Sequence, residues 1–182
     1  MKKFILITIL GLALVGSSYA DHRMRFKTHL EGFDLNGNPI ATLATGEAMV
    51  EVLDNGTALG FKVNVADIDN LWMAHIHVAS APVEVTDPSG PIAFWFTGGP
   101  PPENNLSETV NGRLAEGFII TNGQLQSWND ADPTLDGTVA GLIKAIQEGR
   151  TSVIVHTNDL DVNTLPGVQG DSPTGELRGT LR

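Results

Sequence analysis

Two histidines in one short segment are the residues with the most chemistry to offer. Leu71-Trp72-Met73-Ala74-His75-Ile76-His77-Val78 alternates along its length. As a strand it sends Trp72, Ala74, Ile76 and Val78 to one face and Met73, His75 and His77 to the other. Two imidazoles at i, i+2 opposite an apolar face build a metal site, a ligand site or a hydrogen-bonded anchor. Imidazole with a thioether suits copper, and imidazole with a carboxylate suits zinc. Met73 shares the histidine face and is a further candidate ligand.

Other chemistry is thinly represented. The 182 residues include no cysteine, which excludes thiol catalysis, iron–sulfur clusters and thiolate copper centres. Asp130-x-Asp132 with Asp136, and Asp159-x-Asp161-x-Asn163, have the acid spacing of calcium loops. Neither has the central glycine or the distal glutamate, so turns and a helix start explain them better. No phosphate loop or nucleophile motif stands out, and the expectation is a protein that is not an enzyme. Trp72 and Trp95 are expected in the core, and Trp128, beside Asn129-Asp130, is the tryptophan expected to be exposed for binding. His22 and His29 are expected to be ordinary surface or strand residues.

The elements that must position the histidines are short strands. Alternation or apolar runs predict strands over 25–30, 47–53, 59–65, 71–78, 92–96, 113–121, 152–156 and 176–181. Asn55-Gly56 marks a two-residue hairpin between the second and third. Val139, Leu142, Ile143 and Ile146 recur at helical spacing before Gly149, predicting one helix over 136–148. Residues 97–112 read as a Gly/Pro/Asn-rich loop. Eight strands and one short helix predict an all-β fold, an antiparallel two-layer β-sandwich of the immunoglobulin/superoxide-dismutase-like kind.

The first twenty residues stand apart. Lys2 and Lys3, an apolar run to Val15 and the small residues up to Ala20 are the pattern of a signal peptide cleaved before Asp21. Residues 21–182 then form one domain, expected to be exported to the periplasm or beyond the cell. No membrane attachment is expected after cleavage. Without the leader, nine Lys+Arg face twenty-one Asp+Glu, a net charge of −12. Nucleic acid is an unsuitable partner for that charge. The remaining 162 residues are enough for a single core that buries roughly 70% of the unfolded surface without disulfides.

Several pieces, in order, resemble one family. They are Phe26-Lys27-Thr28-His29-Leu30-Glu31-Gly32, Thr45-Gly46-Glu47-Ala48, Ala74-His75-Ile76-His77, Gly90-Pro91-Ile92 and the helix ending in Glu148-Gly149. Val153-Ile154-Val155-His156-Thr157 and Gly175-Glu176-Leu177-Arg178-Gly179-Thr180-Leu181 follow. Together they resemble the CHRD domain, first described as a repeated module of chordin, over essentially all of 21–182. The segment 158–174, and 79–89 between His77 and Gly90, depart from the family's shorter or glycine-rich loops beside the histidines.

The resemblance implies that His156 and Glu176 pack near the His-x-His strand. His75, His77 and His156 then become candidate metal ligands, with Glu176 and Met73 as further donors. The plainer alternative is a polar anchor of His75, His77, His156, Glu176 and Arg178 that ties the last strand to the fold, and sequence alone favours it over a metal. A copper–zinc superoxide dismutase centre is rejected, because it needs more histidines and a disulfide. The expected function is a non-enzymatic binding or structural module for an extracytoplasmic ligand or protein. The alternative is a copper- or zinc-binding protein.

Overall fold

The computed structural model describes residues 24–34, 37–82, 90–97, 99, 109–159, 170, 172 and 174–182. The expected signal peptide, His22, most of the 97–112 loop and most of the 158–174 stretch lie outside these residues.

The strands are β1 (Arg25–Gly32), β2 (Thr45–Leu53), β3 (Ala58–Ile68), β4 (Leu71–Val78), β5 (Ile92–Thr97), β6 (Val110–Ile119), β7 (Thr151–Thr157) and β8 (Leu177–Thr180), with helix α1 (Val139–Gln147) before β7. All pair antiparallel in the order β5-β4-β7-β8-β1-β2-β3-β6. The two outermost strands, β5 and β6, approach each other. The architecture is one rolled, nearly closed sheet, and this corrects the expected two-layer sandwich.

The reason lies in β1, which is hydrogen-bonded along both edges. It pairs with β2 over six residues, and with β8 at Glu31 and Gly32, extended by the reciprocal Lys27–Arg182 backbone bonds of 2.9 and 3.2 Å. No unpaired gap divides the strands into two layers. Alternation reports only that one face of a strand is buried, and a rolled sheet and a sandwich share that period. The seam between β5 and β6 is filled by aromatic rings. Phe61 of β3 packs on Phe94 and Phe96 of β5 at 5.2 and 5.1 Å. On the β6 side Gly117 leaves the space, since a Cβ there would stand 2.9 Å from the Phe61 ring.

Inside the roll lie Ala48 and Val50, Leu59 through Val65 at alternate positions, Ala74, Ile76, Val78, Val153, Val155 and Leu177. Helix α1 adds Val139, Leu142 and Ile146 to the same core and packs beside the β2–β3 turn. It begins three residues later than expected. Thr138 is its N-cap, accepting from the Gly141 amide at 2.9 Å, while Asp136 accepts from the Trp128 amide at 2.5 Å. At the other end Gly149 takes a φ of +67°, the left-handed stop anticipated from its position. The β2–β3 turn also departs from expectation, since Asp54 and Asn55 both have positive φ and four residues connect the strands.

The two halves of the roll differ on their outer faces. Over β1–β3 that face carries His29, Glu47, Lys62 and Asn64 near solvent. Over β7 and β8 every residue is buried on both faces, polar ones included. Trp128, expected to be exposed, is 2% exposed and joins the core. Among the described residues no helix is long and apolar enough to cross a membrane.

Candidate metal centre

The histidines lie on the outer face of the β4–β7 pair. His75 is opposite Trp95 of β5 and Ile154 of β7; His77 is opposite Ile92 and Ser152; Met73 is opposite His156. His156 is therefore the diagonal neighbour of His75 across the strand pair, within reach of a ring. The centroids of His75 and His77, and of His75 and His156, are each 4.6 Å apart. Ring nitrogens of all three lie within 4.8 Å of one another.

Irregular register shapes the surroundings. Shifts interrupt β4–β7 between Leu71 and Met73, and β4–β5 just before each histidine, between Ala74 and His75 and between Ile76 and His77. Such bulges re-aim side chains. Leu71 takes the interior place that alternation assigned to Trp72. Trp72 instead meets the edge of His156, with centroids 6.4 Å apart. Trp95 stands edge-on to His75 at 4.8 Å. Both tryptophans, expected in the core, flank the histidines instead.

The electrostatics favour neutral imidazoles. His75 is 2% exposed, and burial, then the neighbouring His156 and His77, push its pKa down to about 2. His77 is also lowered, by burial and by the Arg178 guanidinium, against the opposing effect of its bond to Gly90. That bond fixes a tautomer. The Gly90 carbonyl can only accept, so His77 Nδ1–H donates to it at 2.7 Å and Nε2 keeps its lone pair. Gly90 has a φ of +140°, and a Cβ there would stand 2.2 Å from the Val78 carbonyl oxygen. His75 Nδ1 is buried with no hydrogen-bond partner.

The other expected members separate. Glu176 is fully buried but lies outside the three-histidine group. One carboxylate oxygen accepts from Thr42 Oγ1. The second accepts from Thr157 Oγ1 at 2.7 Å and the Gly170 amide at 2.9 Å. Thr157 Oγ1 in turn accepts from the Ser172 amide at 3.0 Å. Glu176 is thus an anchor for the C-terminal segment, built on threonines rather than histidines. Arg178 stays with the histidine face, paired opposite Ile154 and acting on His77. Met73 is buried opposite His156.

His29 is exposed beside Glu47 at 3.5 Å, as expected of an ordinary strand residue. Asp130 and Asp132 serve local structure, accepting from Arg150 and from Thr134. Asp161 and Asn163 lie outside the described residues. Sequence reasoning missed Thr42 altogether. It also missed the roles of Trp95, Ser152 and Thr180, because the register that sets them opposite their neighbours leaves no local signal.

The family profile of the CHRD domain matches residues 26–163. The match takes in His75, His77 and His156 and stops before the closing Gly175–Leu181 piece on which the resemblance also drew. No curated protein and no solved structure matches the chain. With the profile spanning all the strands but the last, the helix and the three histidines, the chain belongs to the CHRD domain family.

Proposed function

We propose that this is an exported, non-enzymatic CHRD protein that binds a divalent transition metal, zinc or copper, through His75, His77 and His156. The observation that carries the reading is the convergence of three imidazoles, His75 and His156 buried and His77 half-buried, with His77 held in one tautomer by Gly90 and His75 Nδ1 without a partner. Neutral imidazole is the ligand form, so at neutral pH His75 and His77 need give up no proton to a metal. Zn–N bonds of about 2.0–2.1 Å in a tetrahedron set nitrogens about 3.4 Å apart, so the imidazoles draw together on binding. Three protein ligands leave a fourth position open to water or to an extracytoplasmic ligand. The expectation of export rests on the 1–20 leader pattern.

The test is titration of the purified protein, stripped with chelator, with Zn2+ and separately with Cu2+. One ion per chain should bind and raise the melting temperature. The stabilisation at 100-fold excess over Kd is about 2.7 kcal/mol. His77→Ala should weaken binding at least tenfold. A protein that takes up neither ion, or binds equally well as His77→Ala, would leave the cluster a purely structural one.

A further inference from the structure

Among the described residues two arginines are buried, in very different company. Arg150 gives each of its three guanidinium nitrogens an acceptor: Glu148 at 2.8 Å, the Ala79 carbonyl at 2.9 Å and Asp130 at 2.9 Å. Arg178 is more deeply buried, at 1% exposure. Its Nη2 donates to the Thr174 carbonyl at 2.5 Å, while Nε and Nη1 have no hydrogen-bond partner.

The guanidinium lies against Gly175, where a Cβ would come within 3.1 Å of Nη2 and 3.3 Å of Nε. Gly175 also has a φ of +112°, so both conformation and space require glycine there. Burial lowers the Arg178 pKa to about 10, with Asp34 opposing, and the group stays charged at neutral pH. An incompletely bonded buried cation is costly, and protein interiors supply an acceptor or a counter-ion.

Neighbouring groups show the same deficit. Ser152 and Thr180 face each other in register on β7 and β8, two pairs along from Arg178 and therefore on the same face. Their buried hydroxyl oxygens also have no partner. Hydroxyls and guanidinium N–H groups are together the donor set of an oxyanion site. We propose that Arg178, Ser152 and Thr180 bind a small carboxylate monoanion beside the histidine cluster. One fixed positive charge with two neutral hydroxyls matches a single negative charge, and a phosphate dianion would leave charge uncompensated in a buried site. The proposal does not depend on the metal reading, because the unpartnered donors exist without an ion.

The experiment is calorimetric titration of the purified protein with acetate in chelator, at constant ionic strength with chloride as the balancing anion. Inorganic phosphate is titrated in parallel. Acetate should bind saturably, one per chain, and raise the melting temperature where chloride does not. Ser152→Ala and Thr180→Val should each weaken acetate several-fold, and Arg178→Met should abolish it. If Arg178→Met fails to fold, the hydroxyl variants and the shift of an arginine Nε–H resonance on acetate addition carry the test. No saturable response to acetate, or responses unchanged in both hydroxyl variants, would overturn the site. A tenfold preference for phosphate would overturn the monoanion assignment. Since chelator is present throughout, failure here says nothing against metal binding, and failure of metal binding leaves this result standing.

Discussion

Glu176 and the His75–Arg178 face are both buried and polar, and both involve the β7–β8 pair. They differ in how their bonds are completed. Every described partner of the Glu176 carboxylate comes from the chain itself, from Thr42, Thr157 and Gly170. On the histidine face His75 Nδ1, Arg178 Nε and Nη1, and the Ser152 and Thr180 hydroxyls have none. The first arrangement is complete as folded and explains why the last strand stays in place. The second is incomplete as folded, and the proposed metal and carboxylate would supply its missing partners. Burial of polar groups alone does not separate an anchor from a site; the tally of their bonds does.

The strongest attack on this contrast is Glu176→Ala. Two threonine hydroxyls and an amide lose their acceptor, and each buried group left unsatisfied costs about 1–3 kcal/mol. A loss of about 3–5 kcal/mol is expected in urea denaturation, the same with or without metal. A loss below about 1 kcal/mol would show that the threonine network is not an anchor.

Acid sharpens the contrast from the other side. The folded pKa of His75 is depressed to about 2 while the unfolded chain titrates near 6.5, so below that value the unfolded state takes up a proton that the folded state refuses. The stability His75 contributes is complete above about pH 6.5 and is lost as pH falls toward about 2. Lowering the pH of metal-free protein from 7 to 5 should cost about 2 kcal/mol through this group, and His77 acts in the same direction. In denaturation series between pH 4 and 6, His75→Gln should flatten the dependence by about 1.4 kcal/mol per pH unit. An unchanged slope would place His75 in water.

The smallest effect is expected at the exposed histidine. His29→Ala removes a solvent-exposed contact with Glu47 and should change stability by less than about 0.5 kcal/mol, with metal uptake unaltered. If His29→Ala lowered metal uptake as much as His77→Ala, the ions would be binding the outer surface of β1 and β2.

The strands were legible in the sequence because a half-buried strand repeats every two residues, and the paired orientation of His75 and His77 followed from that parity alone. The third histidine was not readable that way. His156 is 79 residues along the chain from His77 and was brought in by the family resemblance, which the fold supports by pairing β4 with β7. Closure of the roll was invisible, since it depends on β1 bonding along both edges and on Phe61 meeting β5. The misplacements have local causes. Trp72 left the interior because a bulge at Leu71–Met73 shifts the alternation, which no run of residue types announces. Trp128 reads as a loop residue yet is drawn in where its amide bonds Asp136, which leaves Thr138 to cap a helix that starts at Val139. Glu176 was expected with the histidines from the family resemblance, but Thr42, Thr157 and Gly170 take its oxygens instead.

Metal binding at His75, His77 and His156 is tested most directly by X-ray absorption at the metal edge. Protein loaded with one equivalent of zinc should show three imidazole nitrogens at about 2.0–2.1 Å, and His75→Ala should lose that signature. A shell of oxygen ligands without imidazole scattering, or zinc that washes out on dialysis, would contradict a metal centre at His75, His77 and His156.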